Sequence, residues 1–96
     1  MSPNELQGLV VDVLKEVQRM SGRGWHELGL ETQPIGALDG FDSLNAVEAT
    51  VMVETRLGRE LSADSLFVSE DGKRALTIME IVERLRKLTG ADEEQP

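Results

Sequence analysis

The chain has 96 residues, 40% of them hydrophobic and 29% charged, with a formal net charge of −8 and no cysteine. This size predicts one domain, and the charge argues against nucleic acid and anionic membrane surfaces, both of which call for Lys and Arg. Without cysteine there is no disulfide framework, thiolate metal site or Cys nucleophile, and any thiol has to come from outside the chain.

The only aromatic residues are Trp25, Phe41 and Phe67, so the core is expected to be aliphatic. No basic segment followed by an apolar run reads as a secretory signal, and no stretch is apolar enough to span a bilayer. The expectation is a cytoplasmic monomer.

In chain order, Ser2-Pro3-Asn4-Glu5 is a capping box with proline at the first helical position. Leu6, Leu9, Val10, Val13, Val17 and Met20 follow at helical spacing, and Gly22 and Gly24 end this first helix. Residues 21–42 read as a long loop, a length that usually signals function. In it Leu28, Leu30, Ile35 and Leu38 are expected to dip into the core, Trp25 to plug the loop and His26 to be an exposed polar residue.

The second helix is predicted from Ser43 to Leu57, with Gly58 just past its end. It carries two apolar stripes. Ala46, Ala49, Val53 and Leu57 form one face, while Leu44, Val47 and Val51 form another that is rotated away. A helix with a single buried face needs only one stripe. The second packs either on the loop or on a partner.

Ser62 is placed to cap a short third helix whose Leu66 and Phe67 face inward, and Ser69 to Arg74 form a charged turn. Thr77-Ile78-Met79-Glu80 is another capping box. The last helix then shows Ile78, Ile81, Val82, Leu85 and Leu88 on one stripe, Arg84, Arg86 and Lys87 near its negative end, and Gly90 as its stop. The result is an all-α four-helix bundle over residues 1–90, with a polar tail at 91–96 expected to be disordered.

Little in this chain supports hydrolytic or metal chemistry. His26 is the only histidine and has no orienting motif, and the Gly-x-Ser-x-Gly elbow is absent around Ser43. Asp39, Asp42, Asn45 and Glu48 lack the alternation of a calcium loop, and Gly22-Arg23-Gly24 lacks the Lys-Ser/Thr ending of a phosphate loop. The chain is therefore expected not to be an enzyme.

The feature that carries chemistry is Gly40-Phe41-Asp42-Ser43-Leu44, which places one serine where a loop becomes a helix. Ser43 or Asp42 can cap that helix. The outward N–H groups and positive end of the macrodipole favour a phosphate ester there. Two readings follow from the residues: a carrier modified at Ser43, or an unmodified helical interaction module that docks through Leu44, Val47 and Val51.

Over about residues 3 to 89 the chain resembles the acyl carrier protein family. The likeness rests on Ile35-Gly36-Ala37-Leu38-Asp39-Gly40-Phe41-Asp42-Ser43-Leu44, on Val47-Glu48, on Leu57-Gly58-Arg59-Glu60-Leu61 and on Thr77 to Val82. It implies that a separate phosphopantetheinyl transferase attaches phosphopantetheine from coenzyme A to Ser43, with Asp42 and Leu44 positioning the serine and Asp42 helping to place magnesium in the transferase complex. It further implies that an acyl group is held as a thioester on that arm and shuttled from a loading enzyme to ketosynthase-type and downstream enzymes. Leu44, Val47, Glu48, Val51 and Glu54 would recognise those partners.

Phe41 resembles the residue found in stand-alone carriers of specialised, polyketide-like pathways. Thr55 and Arg56 stand where fatty-acid carriers usually have acids, Arg59 adds more positive charge, and Asp39 sits where a leucine or glycine is more usual. An aminoacyl or peptidyl carrier of a nonribosomal-peptide-type pathway, loaded by an aminoacyl-loading enzyme and serving condensation-type enzymes, is the alternative cargo reading. The small aliphatic residues Val13, Val17, Val53, Leu57, Ile81, Val82 and Leu85 suggest a core able to admit a short acyl chain.

Overall fold

A computed structural model describes residues 2–25, 27–61 and 63–90. The fold is all-α. Among the described residues there are four helices, α1 (Pro3–Met20), α2 (Pro34–Ala37), α3 (Ser43–Leu57) and α4 (Ile78–Thr89), and no strand beyond an isolated bridge between Val68 and Ala75. The expected tail at 91–96, His26 and Ser62 lie outside the described residues.

Local chemistry sets the helix ends. Ser2 caps α1 and Thr77 caps α4, each in a complete capping box closed by Glu5 and Glu80 respectively. Gly58 and Gly90 close α3 and α4 in the left-handed conformation. α1 is the hub and packs against both α3 and α4. Its fully buried Leu6, Val10, Val13 and Leu14 meet Ala46, Ala49 and Val53 of α3 and Ile78, Ile81 and Leu85 of α4 in one aliphatic core. The alanines let α3 approach closely, and Phe41 and Phe67 close one end with ring centroids 5.6 Å apart, edge to face.

Three sequence expectations change. The short helix lies in the first loop and not after α3. Even there, Ile35 and Gly36 have non-helical torsions, so α2 is an interrupted turn opened by Pro34. Residues 63–67 form no helix because tertiary partners claim their backbone. Thr50 Oγ1 accepts the Leu66 N–H at 3.0 Å, and the half-buried Arg84 donates from Nη1 to the Ser65 and Val68 carbonyls at 3.0 and 2.7 Å. Leu66 and Phe67 still point inward, both fully buried. Trp25 is not a plug: it is 41% exposed, with the Lys15 ammonium 6.0 Å from its ring, and Leu30 is likewise exposed.

The long loop is held to the bundle from both sides. The first two N–H groups of α4, at Ile78 and Met79, donate to the Thr32 and Leu30 carbonyls at 2.8 and 2.9 Å. Helix-start donors that have no intrahelical partner thus satisfy loop acceptors. Gln33 Nε2 adds a bond to the Ala75 carbonyl at 3.1 Å. At the other side the fully buried Gln18 of α1 reaches into the loop.

Thr50→Val tests the tie between α3 and the 63–67 segment. Valine keeps the volume but leaves the buried Leu66 N–H without an acceptor, so chemical denaturation should show a loss of about 1–3 kcal/mol.

Glu80 gives a pH signature. Arg74 grips its carboxylate with two nitrogens at 3.1 and 3.0 Å, and the Thr77 N–H adds a third bond. Together, Arg74 first, these hold the Glu80 carboxyl at about 2, below its ordinary 4.5. The folded value lies below the unfolded one, so this contribution is present above pH 4.5 and is lost as the pH falls toward 2. Thermal unfolding followed from about pH 5 down to about pH 2 should show Glu80→Gln losing stability less steeply than the parent.

Candidate functional site

The site begins one residue before α3. Gly40 has φ +66°, and a Cβ added there would lie 2.3 Å from Arg23 Cζ. The backbone angle favours glycine, and a side chain there would also displace the Arg23 guanidinium. Phe41 then drops into the core at 3% exposure, anchoring the chain just before the helix begins.

The choice of cap falls to Asp42. Its Oδ1 accepts the Leu44 and Asn45 N–H groups at 3.0 and 3.1 Å, and Asn45 Oδ1 accepts the Asp42 N–H at 3.3 Å. This capping box leaves Ser43 as the first helical residue, exposed, with a hydroxyl that makes no hydrogen bond to the described residues. The cap also alters the anion argument. The Leu44 and Asn45 donors that could cradle a phosphate are already used by Asp42, so an ester on Ser43 would stand out from the helix end.

Beyond Ser43, α3 shows a sharp division of faces. Ala46, Ala49, Thr50 and Val53 are buried. Leu44, Val47 and Val51, spaced three and four residues apart, are 71%, 42% and 53% exposed. The second apolar stripe therefore does not pack on the loop. Glu48 is exposed beside it, within 3.4 Å of Asn45 Nδ2.

Glu54 is differently placed. It is half-buried, and its Oε2 accepts the Leu61 N–H at 2.7 Å, which leaves the other carboxylate oxygen for any partner. The structure thus brings Asp42, Ser43, Leu44, Val47, Glu48 and Val51 onto one open surface, with Glu54 at its edge.

Two side chains that contact this region were not picked out as site residues from sequence. Arg23 donates from Nη1 to the Gly40 carbonyl at 2.8 Å, and Gln18 donates from Nε2 to the Asp39 carbonyl at 2.9 Å. The only sequence signal was a glutamine on the apolar stripe side of the first helix, a position that calls for a polar partner once buried. No group of three or more His, Asp or Glu residues among the described ones is arranged to hold a metal. No family model, curated protein or solved structure matches the chain.

The cap and the serine have separable energetics. Asp42→Ala should lower stability by about 1 kcal/mol, the usual value of an N-cap. Ser43→Ala removes a hydroxyl that the fold does not use and should stay within about 0.5 kcal/mol of the parent. Denaturant titration of the two variants side by side measures the contrast.

Proposed function

We propose that this protein is a carrier of the acyl-carrier type, modified at Ser43 and recognised along α3. The observation that carries the reading is the arrangement at the start of α3. Asp42 takes over the capping role, and Ser43 is left exposed with an uncommitted hydroxyl. A serine whose only task was to cap the helix would have its oxygen on those N–H groups.

The three longer helices and the long first loop are compatible with a carrier fold, although the short third helix expected between α3 and α4 is absent among the described residues. A phosphopantetheine ester fits the residues present: Ser43 supplies the attachment oxygen, Leu44 stands open beside it, and the acid at Asp42 suits magnesium in a transferase complex. When attached, such an arm supplies the thiol that a cysteine-free chain lacks, on which an acyl or aminoacyl cargo rides as a thioester. The chain's own residues hold the serine out, keep its hydroxyl free and present a docking face, so they need no general base. Separate enzymes do the chemistry.

Leu44, Val47 and Val51 form the apolar centre of that docking face, with Glu48 and the free oxygen of Glu54 as its charged margin. The net charge of −8 speeds encounter with basic partner surfaces. Exposed charge pairs add about 1 kcal/mol or less each, so the charges chiefly set on-rate and partner choice. A phosphopantetheinyl transferase, a loading enzyme and ketosynthase- or condensation-type enzymes are the partners this reading requires.

Intact-protein mass after incubation with coenzyme A, magnesium and a broad-specificity phosphopantetheinyl transferase tests it. The expected result is one added phosphopantetheinyl group on the parent and none on Ser43→Ala. A folded parent that several such transferases leave unmodified would refute the carrier reading and favour an unmodified module docking through the α3 stripe.

A further inference from the structure

The turn that delivers Ser43 is pinned at three consecutive carbonyls by three different donors. Leu38 O accepts the Phe41 N–H at 3.1 Å, Asp39 O accepts Gln18 Nε2 at 2.9 Å, and Gly40 O accepts Arg23 Nη1 at 2.8 Å. Asp42 then caps α3. No backbone carbonyl from 38 to 40 is left to let the turn pivot about its neighbours.

Gln18 is fully buried and also donates to the Gly24 carbonyl at 3.0 Å, so both its amide hydrogens are used and its two acceptors dictate the amide's orientation. Its Oε1 is buried without a partner among the described residues. An apolar side chain would leave no such oxygen but would also deprive the Gly24 and Asp39 carbonyls of these donors. What the amide does supply is a fixed spacing between the two edges of the loop, at residues 24 and 39.

Arg23 works from the outside. Its guanidinium fills the space beside Gly40, where an added Cβ would lie within 2.3–2.5 Å of three of its atoms. An exposed arginine that orders its long side chain for one backbone acceptor adds little to stability. It does fix where that acceptor sits.

We propose that Arg23, backed by Gln18, is a positioning residue. It clamps the 38–42 turn so that the Ser43 hydroxyl is presented in a single orientation to the transferring enzyme. This rests on the carrier reading of Ser43. In the transfer, the Ser43 Oγ–P bond forms as a P–O bond of the coenzyme A pyrophosphate breaks. The hydroxyl proton passes to the transferase or solvent, and adenosine 3′,5′-bisphosphate leaves. In-line attack is sensitive to the placement of the attacking oxygen, and a displacement of about 1 Å can cost on the order of 10²-fold in rate. Loosening the clamp therefore acts on kcat and leaves the α3 docking face, and with it KM, unchanged.

The test is steady-state modification of the full chain by a phosphopantetheinyl transferase with coenzyme A and magnesium, read by intact mass over a range of carrier concentrations. Arg23→Ala should lower kcat about tenfold with KM unchanged within about twofold, at an unaltered thermal midpoint. Amide exchange at Phe41 should rise in the same variant. Arg23→Lys, which keeps a donor for the Gly40 carbonyl, should recover part of kcat. Arg23→Ala with parental kcat overturns the clamp, and a rise in KM alone makes Arg23 a transferase contact and overturns it equally. A parent that is never modified defeats the carrier reading and the clamp with it. A modified parent with an indifferent Arg23→Ala defeats the clamp alone.

Discussion

The backbone of residues 21–42 bonds within itself only over short turns, so the remaining carbonyls of this long connection depend on other donors to hold its path. The rest of the architecture answers that constraint. α4 lends its first two N–H groups to the Leu30 and Thr32 carbonyls, and α1 lends Gln18 and the segment after it lends Arg23 to the carbonyls at 24, 39 and 40. The loop is thereby stretched between α4 and α1, and its far end arrives at α3 with its direction already set.

That constraint explains the form of the site. A loop fastened in this way can end in a glycine turn, bury Phe41 as an anchor and start a helix on Asp42 without spending Ser43 on structure. The site is chemically sparse, one hydroxyl beside one carboxylate. Its second half, the stripe of Leu44, Val47 and Val51, is apolar surface that folding leaves in water although the helix has a complete buried face without it. Such surface is costly to expose and is ordinarily kept for a contact. On the proposed carrier reading, the charged margin and the negative chain favour basic partner surfaces.

The same economy appears in the segment between α3 and α4. Arg84, which sequence places with Arg86 and Lys87 as a counter-charge to the helix end, instead reaches back to two carbonyls of the 63–68 segment. Thr50 receives the Leu66 N–H from the opposite side. With its Leu66 N–H given to α3 and its Ser65 and Val68 carbonyls taken by α4, this segment has backbone groups engaged outside a helical turn, and the expected short helix between them does not form.

Sequence alone determined what depends on residues a turn or less apart. The capping boxes at Ser2–Glu5 and Thr77–Glu80, the glycine stops at Gly58 and Gly90, the buried face of α3 and the position of Ser43 at its start all involve neighbours within about one helical turn, where residue type dictates geometry. The cap of α3 is itself a local contest, which Asp42 wins from Ser43 with bonds two and three residues along. Only the tertiary structure decided the rest: that Trp25 and Leu30 stay exposed, that the short element sits at Pro34–Ala37, and that Gln18 and Arg23 reach the turn before the serine. The ties of Gln18 to Asp39, Arg23 to Gly40 and Gln33 to Ala75 join residues 17 to 42 positions apart. Whether such groups meet depends on how α1 packs between α3 and α4, which no local pattern encodes.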